Sequence, residues 1–256
     1  MLPNKYKPQV KTDLIRLGRD FDGGYVVAQR SINEADALIS MGVNDDWSFE
    51  KQFIKLNSIP VNAYDHTVTP KFWRNYVLGS FYQALIPTKA RLRRFVLDFL
   101  VFIDYNRFFK KDVIHFRQKI GLNKNGDISV KDVISKFPDD FNIFFKIDIE
   151  GGEYRILDEL IDYQDRLSGL AIELHDCDLH KDKILAFLSK FKLSVANIHP
   201  NNFAGVDIND DPLVVEMTFF NPTTDEMNDK SSVSFPCELD EPCNGFADEL
   251  QLKFES

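Results

Sequence analysis

Cysteine is scarce in this chain. Three occur in 256 residues, Cys177, Cys237 and Cys243, at spacings that match no metal-ligand pattern. So few exclude a disulfide-stapled scaffold. The odd count, with a polar stretch from Met1 to Lys11 and no secretory leader, leads us to expect a reducing, cytoplasmic setting. Long apolar runs are also missing, so no transmembrane segment is expected. Positive charge is in deficit, with 31 Lys and Arg against 40 Asp and Glu and a net charge of -9. That balance argues against a broad grip on phosphate backbones, and no nucleic acid is expected as a partner. There is no internal repeat, no interdomain linker and no G-x-G-x-x-G, which removes the dinucleotide fingerprint.

What is present reads as alternating strands and helices. Apolar, β-rich runs at Ala35–Ser40, Val61–Asp65, Val113–Phe116, 144–149, Leu170–His175, Val195–His199 and Leu213–Phe220 read as strands. Between them Phe49–Leu56, Tyr154–Leu160 and Leu179–Phe191 read as helices. Another starts after Ser129, which suits a helix N-cap, and 121–127 reads as a turn. The pattern predicts an α/β fold with a mostly parallel sheet and helices on both faces. Ligands in such sheets sit beyond the carboxyl ends of the strands.

The most informative stretch is Phe144 to Glu153. An apolar strand there ends in Asp148, Glu150 and two glycines. Asp148 and Glu150 share one face of the strand. Burying them is costly unless they emerge at the carboxyl end. Glu173 and His175 have the same relation at the end of Leu170–His175. His199 lies beside Asn201 and Asn202. Gly42 falls in the first strand-to-helix loop, where free backbone N–H groups can cradle a cofactor. Asp65 ends the next strand a little over twenty residues on, where an acid can accept ribose hydroxyls. One rim thus gathers Gly42, Asp65, Asp148, Glu150, Glu173 and His175. It suits either a divalent metal held by oxygen and nitrogen donors or general-base catalysis by His175 or a carboxylate.

In order along the chain, D-G-G-Y (22–25), S-M-G-V-N-D-D-W-S-F-E (40–50), the strand ending at Asp65, K-I-D-I-E-G-G-E (146–153), E-L-H (173–175) and H-P-N-N-F-A-G (199–205) resemble the FkbM-like S-adenosylmethionine-dependent methyltransferases. The resemblance covers most of the chain except a Phe-rich stretch at 70–111. It implies a Rossmann-like, seven-stranded methyltransferase sheet whose last strand is antiparallel. It places the cofactor by Ser40, Gly42, Asn44 and Asp65, and the catalytic groups among Asp148, Glu150, His175 and His199. A divalent metal (Mg or Mn) would fall on Asp148, Glu173 and His175. The activity implied is O-methylation of a sugar hydroxyl, on a sugar nucleotide or a surface-polysaccharide (capsule) precursor. One departure stands out: Ser40 occupies the start of a loop where the wider superfamily carries D-x-G-x-x-x-G. Two other readings of the chain are a catalytically silent glycan- or partner-binding module and a metal-dependent hydrolase.

A single domain over 1–256 is expected, with three additions. Residues 1–30 read as a β extension, a hairpin that either covers the sheet edge or brings Asp22 or Tyr25 near the cleft. Residues 70–111 read as a helical insertion serving as lid or homodimer surface, and 222–256 as a tail over the surface.

Overall fold

The computed structural model describes residues 1–86, 88–122, 126–228 and 236–255. Residues 123–125 of the expected turn at 121–127 therefore lie outside the described residues, as do parts of the 222–256 tail. A small hairpin comes first, β1 (Leu14–Leu17) and β2 (Tyr25–Ala28), followed by the short helix α1 (Gln29–Asn33). The main sheet holds β3 (Ala37–Met41), β4 (Val61–Tyr64), β5 (Val113–Phe116), β6 (Ile143–Ile147), β7 (Leu167–Leu174), β8 (Ser194–Pro200) and β9 (Val215–Phe220). Its order is β5-β4-β3-β6-β7-β9-β8. Pairings from β5 across to β7 are parallel, and β9 runs antiparallel to both neighbours. This is a Rossmann-like, seven-stranded sheet, mostly parallel, with its last strand antiparallel, the architecture that the sequence resemblance leads us to expect.

Strands buried on both faces need apolar residues on both. Ala37, Ile39 and Met41 of β3, with Phe145 and Ile147 of β6 and Ile172 of β7, join one cluster. Leu38, Phe144 and Ala171 face the other way, into a second. On the first face lie α5 (Val130–Ile134), α6 (Leu157–Asp162) and α7 (Cys177–Lys190). Ser129 caps α5 with a reciprocal bond to Asp132. On the second face lie α2 (Ser48–Leu56), through Phe49 and Phe53, and the β1–β2 hairpin.

The hairpin departs from an edge cover. All four residues of β2 are buried, and Thr218 Oγ1 of β9 donates to Val26 O at 2.8 Å. It therefore roofs the face of β7, β8 and β9, because its apolar Tyr25 and Val27 gain more there than on an edge. Leu2 and Tyr6 meanwhile pack into the opposite cluster, so the first thirty residues touch both faces.

Between β4 and β5 stand α3 (Pro70–Ala84) and α4 (Lys89–Phe108). Trp73 packs on Phe102 and Tyr105, while Phe81 packs on Phe95, so the two helices run antiparallel. Their base is tied to the β3–α2 loop: Tyr76 OH donates to Asp45 at 2.8 Å, and Trp47 Nε1 to Asp104 at 2.9 Å. Phe72, Phe102, Phe108 and Phe109 pack at the base of this hairpin, while Phe81, Leu85, Ile86, Leu92, Phe99 and Leu100 farther out are exposed. Among the described residues, no helix is long and apolar enough to cross a membrane.

Candidate active site

The register across the sheet sets the site. Ser40 of β3 lies beside Lys146 of β6. Glu173 of β7 lies beside Glu216 of β9, which lies beside His199 of β8. Alternation puts all five on the face roofed by the hairpin. A polar row thus crosses the sheet near its carboxyl end, where β3, β6 and β7 turn into loops.

Two hollows open above that end. The first, about 360 Å³, lies over β3, β4 and β6 and is lined by Gly42, Val43, Asn44, Glu50, Asp65, Lys146 and Asp148 among others. The second, about 390 Å³, lies over β6, β7 and β9 and is lined by Glu173, His175, Asn201, Phe203, Ala204 and Val214. Asp22, Asp148 and Glu150 line both.

The first loop is built around Gly42. Its φ is +81°, and a Cβ there would run into the backbone carbonyl oxygen of Asp148, so only glycine lets the β3 and β6 loops close on each other. Gly42 N donates to Tyr64 O at 3.0 Å, and Gly42 O accepts from Lys146 Nζ at 2.8 Å. Asp65 shapes the same loop. Its Oδ2 accepts from Val43 N and Asn44 N at 3.1 and 2.9 Å, and its Oδ1 from Thr67 N and Oγ1 at 2.8 and 2.6 Å. Burial works to raise its pKa, but these bonds outweigh it and hold the carboxyl below its ordinary value. Asp65 and Asn44 both reach the hollow.

Ser40 does not reach it. It is fully buried, and its Oγ donates to Glu50 Oε1 at 2.5 Å. Glu50 lines the hollow instead, so helix α2 delivers an acid where the strand end carries serine. Burial raises the Glu50 pKa, opposed by Lys146 and the Ser40 hydroxyl. Lys146 is itself buried. Burial disfavours its ammonium, but Asp148, at 3.6 Å, and Glu50 overrule that and raise its pKa. It also lies 5.5 Å from the centroid of the Tyr25 ring.

In the second hollow, Asp148, Glu173 and His175 each place a ligand atom within 4.8 Å of the others. Glu173 accepts from Asn201 Nδ2 at 2.7 Å and from Tyr25 OH at 3.4 Å. Burial, then Asp148 and Glu216, push its carboxyl up to about 8. His175 lies 3.3 Å from Glu153 and 3.5 Å from Glu150. Burial alone would lower its pKa, but Glu153, aided by Glu173 and Asp148, raises it to about 9. Glu153 is fully buried and also accepts from Ile149 N and Gly151 N, which shapes the Gly-Gly turn. The segment after it starts as a 3₁₀ turn at Glu153–Arg155, so α6 begins later than the sequence pattern suggests. Glu150 stands in left-handed geometry (φ 54°) with its side chain largely exposed.

His199 lines neither hollow. It is buried two strands from β7, with Nδ1 3.1 Å from Glu216. Sequence reasoning assigns no role to Lys146, Glu50 or Glu216. The signal open to it is a charged residue inside an otherwise apolar strand, as in I-F-F-K-I.

No family model matches this sequence, and no curated protein matches it. Among solved structures the chain is similar to the Methanococcus jannaschii fibrillarin pre-rRNA processing protein (10% identity, 84% of each chain, TM-score 0.37). It is also similar to a human methyltransferase 10 domain containing protein (12% identity, 73% of this chain and 72% of that one, TM-score 0.35). A third is M. jannaschii TYW2 in complex with AdoMet (10% identity, 74% and 70%, TM-score 0.31). Likeness at this level carries no argument; the functional reading rests on the sequence motifs and on the geometry of the two hollows.

Proposed function

We propose that this protein transfers a methyl group from S-adenosylmethionine to a hydroxyl of a sugar or sugar nucleotide, a surface-polysaccharide precursor. One observation carries the reading: two hollows of small-molecule size meet at Asp148, at the carboxyl end of the central strand. A donor in one and an acceptor in the other would face each other across that side chain. The sequence motifs supply the chemical class.

The first hollow fits the donor by its chemistry. Glu50, Asp22 and Asp148 offer carboxylates to an ammonium and a sulfonium, and Tyr64 and Phe49 offer apolar surface to a base. When bound, S-adenosylmethionine would supply an already electrophilic methyl group. The chain's own task is then to orient an alcohol and take its proton. Asp148 reaches both hollows and is suited to orienting the alcohol. Glu173, titrating near 8, is suited to taking the proton. His175, held cationic near neutrality by Glu153, is a poor base and suits an anionic group on the acceptor. In this reading the base is the carboxylate and not His175.

A second reading comes from Asp148, Glu173 and His175, whose two oxygens and one nitrogen also suit a divalent cation such as Mg or Mn. It would lower the pKa of the acceptor hydroxyl. Titration calorimetry with S-adenosylmethionine, then methyl transfer from labelled donor to a panel of sugars and sugar nucleotides with and without chelator, tests both. Failure to bind the donor overturns the proposal, and chelator-insensitive turnover removes the metal.

A further inference from the structure

We propose a second metal site, apart from the two hollows, in which His199, Glu216 and Cys243 hold a zinc-class divalent cation. It rests on geometry independent of the methyl-transfer reading. Strands β8 and β9 supply His199 and Glu216 as cross-strand partners. The 236–255 segment crosses over them and inserts Cys243. All three are buried, Cys243 to 2% exposure.

The donor atoms are spaced as a tetrahedral ion would need. His199 Nδ1 is 3.1 Å from Glu216 Oε2, Cys243 Sγ is 3.6 Å from Glu216 Oε1, and Sγ is 4.0 Å from Nδ1. Zinc bonds of about 2.0–2.3 Å at the tetrahedral angle give ligand edges of about 3.3–3.6 Å. Small side-chain shifts close the difference. A histidine–glutamate pair alone would need no thiol, yet the buried Cys243 lies against both partners.

A second observation points the same way. A metal-bound imidazole usually directs its other nitrogen at a carboxylate. Here His199 Nε2 faces Glu249 Oε1 at 3.4 Å, and among the described residues neither atom has a hydrogen-bond partner. Nδ1 is thereby the metal-facing nitrogen. Binding would release the Cys243 thiol proton and clasp the 236–255 segment to the sheet.

The test uses the full chain stripped with chelator and titrated with Co²⁺. We expect one equivalent to give a thiolate-to-cobalt charge-transfer band. The band should vanish in Cys243→Ala, weaken at least tenfold in apparent affinity in His199→Gln, and persist in Asp148→Asn, which breaks the other cluster. No thiolate band in the wild-type protein, or a band undiminished in Cys243→Ala, overturns the assignment. Should either variant fail to fold by circular dichroism, alkylation of the wild-type chain mapped by mass spectrometry decides. With labelling long enough for local opening to admit the reagent to the buried thiol of the metal-free chain, Zn²⁺ should shield Cys243 while Cys237 still reacts; Cys243 labelled equally fast with and without Zn²⁺ overturns the assignment.

Discussion

The Lys146 ammonium donates to the carbonyl of Gly42 at 2.8 Å, tying the middle strand of the sheet to the loop that leaves its neighbour. It is also the cation set among the buried or half-buried carboxylates Glu50 and Asp148. Lys146→Met removes that tie and strands those acids. Breaking such a buried arrangement from one side costs about 3–5 kcal/mol. Urea unfolding should register a loss of that order, and an unchanged midpoint would refute the role.

Gly42→Ala should be harmful out of proportion to one methyl group. Left-handed backbone costs a non-glycine residue about 1 kcal/mol or more, and the added carbon would overlap the Asp148 carbonyl oxygen. We expect a lowered melting temperature together with loss of donor binding. Thermal unfolding and calorimetry on the same preparation check both.

Asp65 makes stability sensitive to acid. Its folded pKa lies below the ordinary 3.8, because Thr67, Asn44 and Val43 bond its ionised form against the opposing effect of burial. A depressed folded pKa contributes stability that is complete above 3.8 and drains as pH falls through the folded value. Asp65→Asn should lose about 1–3 kcal/mol at neutral pH, since an amide cannot accept all four bonds. Its unfolding curve should also be flatter on the acid side, and parallel acid limbs for the two proteins would count against this account.

Glu173→Gln keeps shape and abolishes proton uptake. General-base catalysis contributes about 10²–10⁴-fold, so methyl transfer should fall by that factor while donor affinity holds. The wild-type rate should rise with pH toward the value near 8 to which burial and Asp148 push this carboxyl. A variant with wild-type turnover would move the base elsewhere.

The sheet is legible in the sequence because its strands are short, apolar and separated by helical periods; β3, β4, β6 and β7 fall within a few residues of where their patterns place them. The rim is legible in outline, since Asp148, Glu150, Glu173 and His175 fall at or just beyond strand ends and line the hollows with Asp65 nearby, but β6 stops at Ile147, so Asp148 and Glu150 stand in the loop and not on one face of the strand. Ser40 and His199 show the limit. Strand period says which face a residue takes, but not that a glutamate ten residues on will fill the space above Ser40, nor that β9 slots between β7 and β8 and sets Glu216 beside His199. Cys243 is unreadable for the same reason: its neighbours come from strands far back in the chain.

Asp22, from the turn of the opening hairpin, lines both hollows, and Tyr25 bonds Glu173. A shortened version beginning at the first strand of the main sheet would keep every residue of that sheet and yet lack one wall of each chamber. Fragment boundaries for expression or crystallisation therefore belong ahead of β1, however dispensable those residues look as an appendage.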